Sequence, residues 1–536
     1  MERSRDEVIR DAIKAQRGKD ISKGRKSIFY VLFSRMFLIL ALVLLQLFFL
    51  FAWFYWMSQL SAYIYGGILI LELILAIALA NSDANPEMRI AWMIPIMIVP
   101  IFGVPFYLFV KSQVGNRLMG RKLKAEQVSS KPLLPQNNEL QEHLRDENAQ
   151  TAGLTDYLYT YGNFPVYEGC SYKYYACGEE FFPDLCEVLE GAKHFIFMEY
   201  FIVERGLMWD TVLEILKKKV AEGVEVRFLY DGTCSLFHLP MHYYKKMREL
   251  GIDCRVFKQV QPVFTTVQNN RDHRKILVVD GEIAFTGGIN LSDEYINAKE
   301  RFGYWKDTKI AVRGESVRTM LILFLQMWNM AGKESERSSY LPYLKFIKPE
   351  EEKTPGYVLP FGENPLDKEQ MGERVYSHIL YTAKRYVHIM TPYLLLDSDI
   401  RQALTFAAKR GVDVHIILPH IPDKWYTMAI GRTYFKELLD AGVKLSEYMP
   451  GFVHAKQFVA DDEQTVVGTI NLDYRSLYLH YEDAIYFYQS PVAEMIENDF
   501  QETLSLCEPI TYDAYENESV WWKLFGFLFR FVAPLL

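Results

Sequence analysis

The chain has 536 residues, half of them hydrophobic and 15% aromatic, and a formal net charge of -8. That length allows more than one core, and that composition excludes a disordered chain. The acidic balance argues against a general nucleic-acid binder, and the six cysteines (Cys170, Cys177, Cys186, Cys234, Cys254, Cys507) lack CxxC spacing, so neither a zinc site nor a disulfide framework is expected.

Residues 1–26 form a basic arm. The run at 36–57, MFLILALVLLQLFFLFAWFYWM, carries no charge and is long enough for a bilayer helix, which needs about 20 residues. A second apolar run at 62–80 has only Glu72 charged, and a third at 90–110 contains Pro95, Pro100 and Pro105. The length of the first run, and the further runs after it, argue against a cleaved signal peptide. Region 27–112 is therefore expected to be embedded in a membrane. Basic residues flank both of its ends, which puts both ends and the following domains on the cytoplasmic side. Three full crossings cannot meet that condition, so the Pro-broken third run is expected to be re-entrant or interfacial.

Residues 113–152 read as a linker with a short helix. From 153 onward, helical stretches lead into β-branched runs: 210–223 into 224–231, and 399–411 into 412–419. This alternation predicts an α/β fold with helices on the sheet faces. We place one domain at 153–347 and a second at 348–510, with KPEEEK (348–353) as surface linker between them. The tail at 511–536 has Trp521, Trp522, Phe525, Phe527, Phe529 and Phe531 beside Lys523 and Arg530. It reads as an interfacial helix, with a core helix as the other reading. Lys217, Lys218 and Lys219 are expected on a solvated helix face.

The stretch RDHRKILVVDGEIAFTGGIN (271–290) holds His273, Lys275, Asp280, Gly288 and Asn290. The stretch HAKQFVADDEQTVVGTIN (454–471) repeats it with His454, Lys456, Asp461, Thr469 and Asn471, at a separation of 181 residues. One such motif is weak evidence; two at the same internal spacing in a repeated helix–strand pattern are not. Residues two apart in a strand face the same side, so each His–Lys pair shares a face. If the halves pack about a pseudo-twofold axis, two imidazoles, two ammonium groups and two amides meet in one pocket.

That set suits phosphoryl transfer on a diester. One neutral imidazole attacks phosphorus, and the other, protonated, serves the leaving alkoxide and then the acceptor alcohol. The lysines and asparagines stabilise charge on the non-bridging oxygens, so no metal and no cofactor is needed. Asp307 and Glu482, each after a motif, are candidates to orient the rings. Asp280 and Asp461 count with the motif but are expected to fix its turn. Ser476 and Arg475 are candidate pocket residues; His415, His420 and His480 lack motif context and are expected in packing or on the surface.

These motifs carry the signature of the phospholipase D superfamily. With IFMEYFIV (196–203), TPYLLLD (391–397), PGFVHAKQFVADD (450–462) and GTINLDYRSL (468–477), the chain resembles bacterial cardiolipin synthases over about residues 62–536. The resemblance implies duplicated phospholipase D-like domains behind N-terminal transmembrane helices in a bacterial plasma membrane. It implies transfer between two phosphatidylglycerols to give cardiolipin and glycerol, through a phosphohistidine on His273 with His454 as acid/base. The near symmetry of the motifs leaves that order open. Hydrolysis or headgroup exchange is the alternative; a nuclease would not need membrane segments. A silent scaffold would be expected to have lost one motif.

Overall fold

The structure, a computed structural model, describes residues 44, 45, 47–49, 51, 52, 55, 62–98, 100–111, 114–258, 269–517 and 519–535. The basic arm and most of the first apolar run lie outside these residues. The second run is one helix, Ala62–Ala80. The third is two, Pro86–Ile98 and Pro100–Lys111. Each begins on a proline, where a missing N–H costs nothing. The second of the two folds back on the first. A Cβ at Gly103 would lie 2.1 Å from the Pro95 carbonyl oxygen, so only glycine fits there. Trp92 packs on Phe106 and Tyr107. Among the described residues no helix is long and apolar enough to cross a membrane.

Residues 113–152 do more than link. They contribute helices Val114–Ser130 and Asn138–Glu147 and the start of Ala149–Gly162. Leu123, Leu134, Leu140 and Leu144 are buried in the main core. Glu126 accepts hydrogen bonds from Asn329, Arg337 and Tyr340. Asn148 caps the third helix through Gln150 and Thr151 and donates to Tyr488. The segment thus straps both halves together. Its polar composition disguised a single apolar face.

The first half builds a sheet from β1 (Phe195–Tyr200), β2 (Glu225–Asp231), β3 (Asp253–Phe257), β4 (Lys275–Val279), β5 (Ile283–Gly287) and β6 (Lys309–Arg313). The second builds one from β7 (Tyr386–Met390), β8 (Asp413–Pro419), β9 (Lys444–Tyr448), β10 (Gln457–Ala460), β11 (Gln464–Gly468) and β12 (Glu482–Tyr488). The spatial orders are β6-β5-β4-β1-β2-β3 and β12-β11-β10-β7-β8-β9, with further strands at the edges. In each, three strands run parallel through helical crossovers and three antiparallel through the motif hairpin. The duplication is therefore one of topology. Six of these twelve strands are buried along their whole length, which is why they read as continuous apolar runs instead of alternating ones.

Helix Val317–Ala331 is buried on nearly every side and packs Phe324 on Phe197 of β1. The tail forms helix Val520–Arg530 on helix Trp425–Arg432. Gly526 meets the Ala429 carbonyl there, at 2.3 Å from where a Cβ would stand. Its other face leaves Val520, Trp521 and Phe527 exposed. One of the three lysines expected in solvent is not there: Lys219 is buried and donates to Ala192 and Glu222.

Candidate active site

Each motif hairpin turns on two residues of positive φ, Asp280–Gly281 and Asp461–Asp462. Two-residue turns with φ > 0 match the twist of the strands they join. Asp280 accepts the backbone N–H groups of Lys193, His194 and Phe195, tying the turn to the start of β1. Asp461 does the same with Lys384, Arg385 and Tyr386 before β7. Neither aspartate lines the cavity described below. Both clamp the hairpin that carries the histidine.

The histidines enter their strands through backbone bonds to the opposite half. His273 N–H donates to Tyr481 at 2.9 Å, and His454 N–H donates to Lys306 at 2.6 Å. The next residue in each partner segment is the carboxylate. Glu482 Oε2 lies 2.8 Å from His273 Nδ1, and Asp307 Oδ2 lies 2.6 Å from His454 Nδ1. The orienting groups are thus exchanged between halves, so neither half holds a complete ring-and-carboxylate pair. With Nδ1–H held by a carboxylate, each ring keeps Nε2 for a substrate.

The paired motifs differ at one position for a steric reason. A Cβ at Gly288 would stand 1.9 Å from Asp307 Oδ1, so glycine makes room for the carboxylate. Its counterpart Thr469 donates its hydroxyl to Glu482 Oε2 at 2.5 Å. Neither touches the cavity; both shape the carboxylates behind the rings.

Lys275 and Lys456 are buried, and each ammonium donates to the carbonyl of its own motif histidine. Burial lowers Lys275 to about 8 and Lys456 to about 7. Burial, then the Lys456 ammonium, brings His454 down to about 4; burial, then Lys275, holds His273 well below its ordinary value. Burial opposes ionisation of Asp307, but His454 and Lys456 outweigh it and keep that carboxyl below its usual range. The free site therefore holds neutral rings and easily deprotonated lysines, and an incoming anion would draw protons onto them.

His273 and His454 line a cavity of about 530 Å³ together with Asn290 and Asn471. Asn290 is fixed by Ile202 N–H and the Tyr295 hydroxyl. Asn471 Oδ1 is buried and has no hydrogen-bond partner among the described residues. Of the two candidates after the second motif, Arg475 lines the cavity and Ser476 does not; Ser476 is buried behind it, its N–H on the Asp473 carboxylate. The wall also holds Arg271, Arg301 and Lys424, which sequence reasoning missed. Arg271 alone had a signal, two residues before His273. His480 likewise departs from its expected place: it lies in the cavity wall, its ring centroid 5.5 Å from that of His273. His415, part-buried and bonded to Ser446, and the exposed His420 lie outside that wall.

Facing His–Lys pairs on a duplicated mixed sheet define a phospholipase D-like enzyme class. A family model described as "Cardiolipin synthase, PLD-like domain" matches residues 185–316 and 376–504, and a "Phospholipase_D-nuclease N-terminal" model matches 69–111. A cardiolipin synthase of Alkalihalophilus pseudofirmus is 32% identical across 85% of this chain and 90% of its own. An uncharacterized protein of Streptococcus mutans is 46% identical across 85% of this chain and 98% of its own. In structure, the phosphatidylserine synthase of Haemophilus influenzae shares the fold, with a TM-score of 0.55 at 15% identity, over 72% of this chain and 98% of that one. The chain belongs to the cardiolipin synthase family of the phospholipase D superfamily.

Proposed function

We propose that the protein moves a phosphatidyl group from one phosphatidylglycerol to another, giving cardiolipin and glycerol. The observation that carries this is the exchanged pairing of His273 with Glu482 and His454 with Asp307 around one cavity rich in cations. His273 Nε2 attacks the donor phosphorus; the P–N bond forms as the bond to the headgroup oxygen breaks. His454 delivers a proton to the departing glycerol. An acceptor hydroxyl then returns a proton to His454 as its oxygen displaces His273 from phosphorus. Lys275, Lys456, Asn290 and Asn471 stabilise the charge on the non-bridging oxygens.

One asymmetry supports this order of roles. The Glu482 oxygen facing His273 is shared with the Thr469 hydroxyl, whereas the Asp307 oxygen facing His454 has no second donor among the described residues. A shared acceptor stabilises an imidazolium less, so His273 is better suited to stay neutral and attack. His454 is better suited to carry the proton.

Membrane association follows from the family and from the apolar surface. Ile70, Leu73 and Ile77 on one helix, Met97 and Ile98 on the next, and Trp521 and Phe527 on the tail are exposed. Helix Trp425–Arg432, which carries the tail helix, is preceded by Asp423 and Lys424 of the cavity wall. The tail helix therefore rests on an element that begins at the cavity wall, which suits an enzyme acting on a lipid headgroup. The N-terminal runs are assigned as multi-pass membrane segments, the helical pair 86–111 as their re-entrant or interfacial element, and the catalytic halves as cytoplasmic.

The covalent step is testable. Enzyme mixed with phosphatidylglycerol labelled at phosphorus and quenched in alkaline detergent should retain label on the peptide containing His273, in an acid-labile bond. Label on the His454 peptide instead would reverse the roles, and no label on any histidine would contradict the mechanism.

A further inference from the structure

The second ring beside His273, that of His480, takes no part in the steps proposed above. His480 is buried, and neither of its ring nitrogens has a hydrogen-bond partner among the described residues. Its Nδ1 lies 3.6 Å from Glu482 Oε1, too far for a hydrogen bond, and that oxygen also has no partner. The other oxygen of Glu482 holds His273 Nδ1 at 2.8 Å. Buried polar groups are normally satisfied, so His480 Nδ1 and Glu482 Oε1, facing one another without a hydrogen bond, mark a place where something small belongs.

The ligating atoms of His273, His480 and Glu482 all lie within 4.8 Å of one another. Two imidazoles and one carboxylate are a donor set for zinc and its first-row neighbours, not for magnesium or calcium, which take oxygen. The geometry points to an inhibitory transition-metal site in the catalytic cavity, where Zn²⁺ is held by His273, His480 and Glu482. A neutral imidazole ligates through one nitrogen by shifting its proton to the other, so neither ring has to lose a proton outright. The nearby Lys275 ammonium opposes a dication, which makes the site weaker than a closed structural zinc centre and therefore reversible.

The ion would take the ring that attacks phosphorus and the carboxylate that orients it. Inhibition thus rests on the phosphatidyl-transfer reading above, whereas binding does not. The site is invisible in the sequence because its ligands come from both halves and none belongs to a metal motif.

The test uses full-length, metal-free, untagged protein in detergent micelles, titrated calorimetrically with zinc chloride alone. One equivalent should bind per chain, and His480→Gln should weaken binding by at least about tenfold. Cobalt(II) added to the unmutated protein should give visible d–d absorption that zinc displaces, a readout that does not depend on how the variant folds. Zinc at the same occupancy should suppress cardiolipin formation by the unmutated protein. No stoichiometric zinc and no cobalt spectrum would overturn the site and leave the three groups to a water molecule. Undiminished binding by a folded His480→Gln protein would also overturn it. Zinc binding by a protein that makes no cardiolipin would sustain the site and count against the reading of function.

Discussion

Gly288 shows how much one hydrogen atom decides. Its missing Cβ leaves the space that Asp307 occupies against His454. Gly288→Ala should displace that carboxylate, leave folding nearly intact and lower kcat by about 10²-fold or more, the scale seen when a histidine loses its orienting partner. Unchanged kcat would remove Asp307 from the mechanism. Asp280 makes a contrasting case. It accepts three backbone N–H groups, each charge-assisted bond being worth about 1.5–3 kcal/mol, so Asp280→Ala should cost at least roughly 4 kcal/mol in denaturant unfolding. An inactive variant of unchanged stability would instead put Asp280 on the substrate. Lys456, lowered by burial to about 7, predicts a pH dependence. A bound phosphodiester anion favours the ammonium, so its value rises in the complex and binding takes up a proton. Affinity for an unreactive phosphonate analogue should be full below about pH 7 and decline at higher pH, with proton uptake visible in buffers of different ionisation heat. Affinity flat from about pH 6 to 9 would contradict the assignment.

At the scale of elements, the motif hairpins were legible because their chemistry is local: His, Lys, the turn and Asn follow in one stretch of chain. The strands and the repeat were legible for the same reason. What stayed hidden was long-range. Nothing in YWKDTKIAV says that Asp307 reaches His454 rather than His273, nor does HYEDAIYFY say that His480 and Glu482 cross to the first motif. The strap at 113–152 looked like a linker because its buried leucines are few and scattered among polar residues, Leu123, Leu134, Leu140 and Leu144. The tail, expected to be an interfacial helix, does form a helix, and its packing on helix Trp425–Arg432 leaves Trp521 and Phe527 exposed. Replacing both with Asp should weaken binding to phosphatidylglycerol vesicles by about tenfold or more, given about 1.5–3 kcal/mol per large buried apolar side chain. Equal vesicle sedimentation would show that the tail does not dock.

The whole molecule is an exchange of parts: each half supplies one histidine ring and takes from the other half the carboxylate that holds it. Since both halves lie on one chain, mixing His273→Ala protein with His454→Ala protein should restore no activity. Recovery would mean that sites form between chains. The most direct test of the central claim is the product ratio in metal-free mixed micelles of phosphatidylglycerol and purified enzyme. The expected result is one glycerol released per cardiolipin formed, with both lost in His273→Ala. Phosphatidic acid as the main product would contradict it, because water and not a second lipid would then be taking the phosphatidyl group from the enzyme.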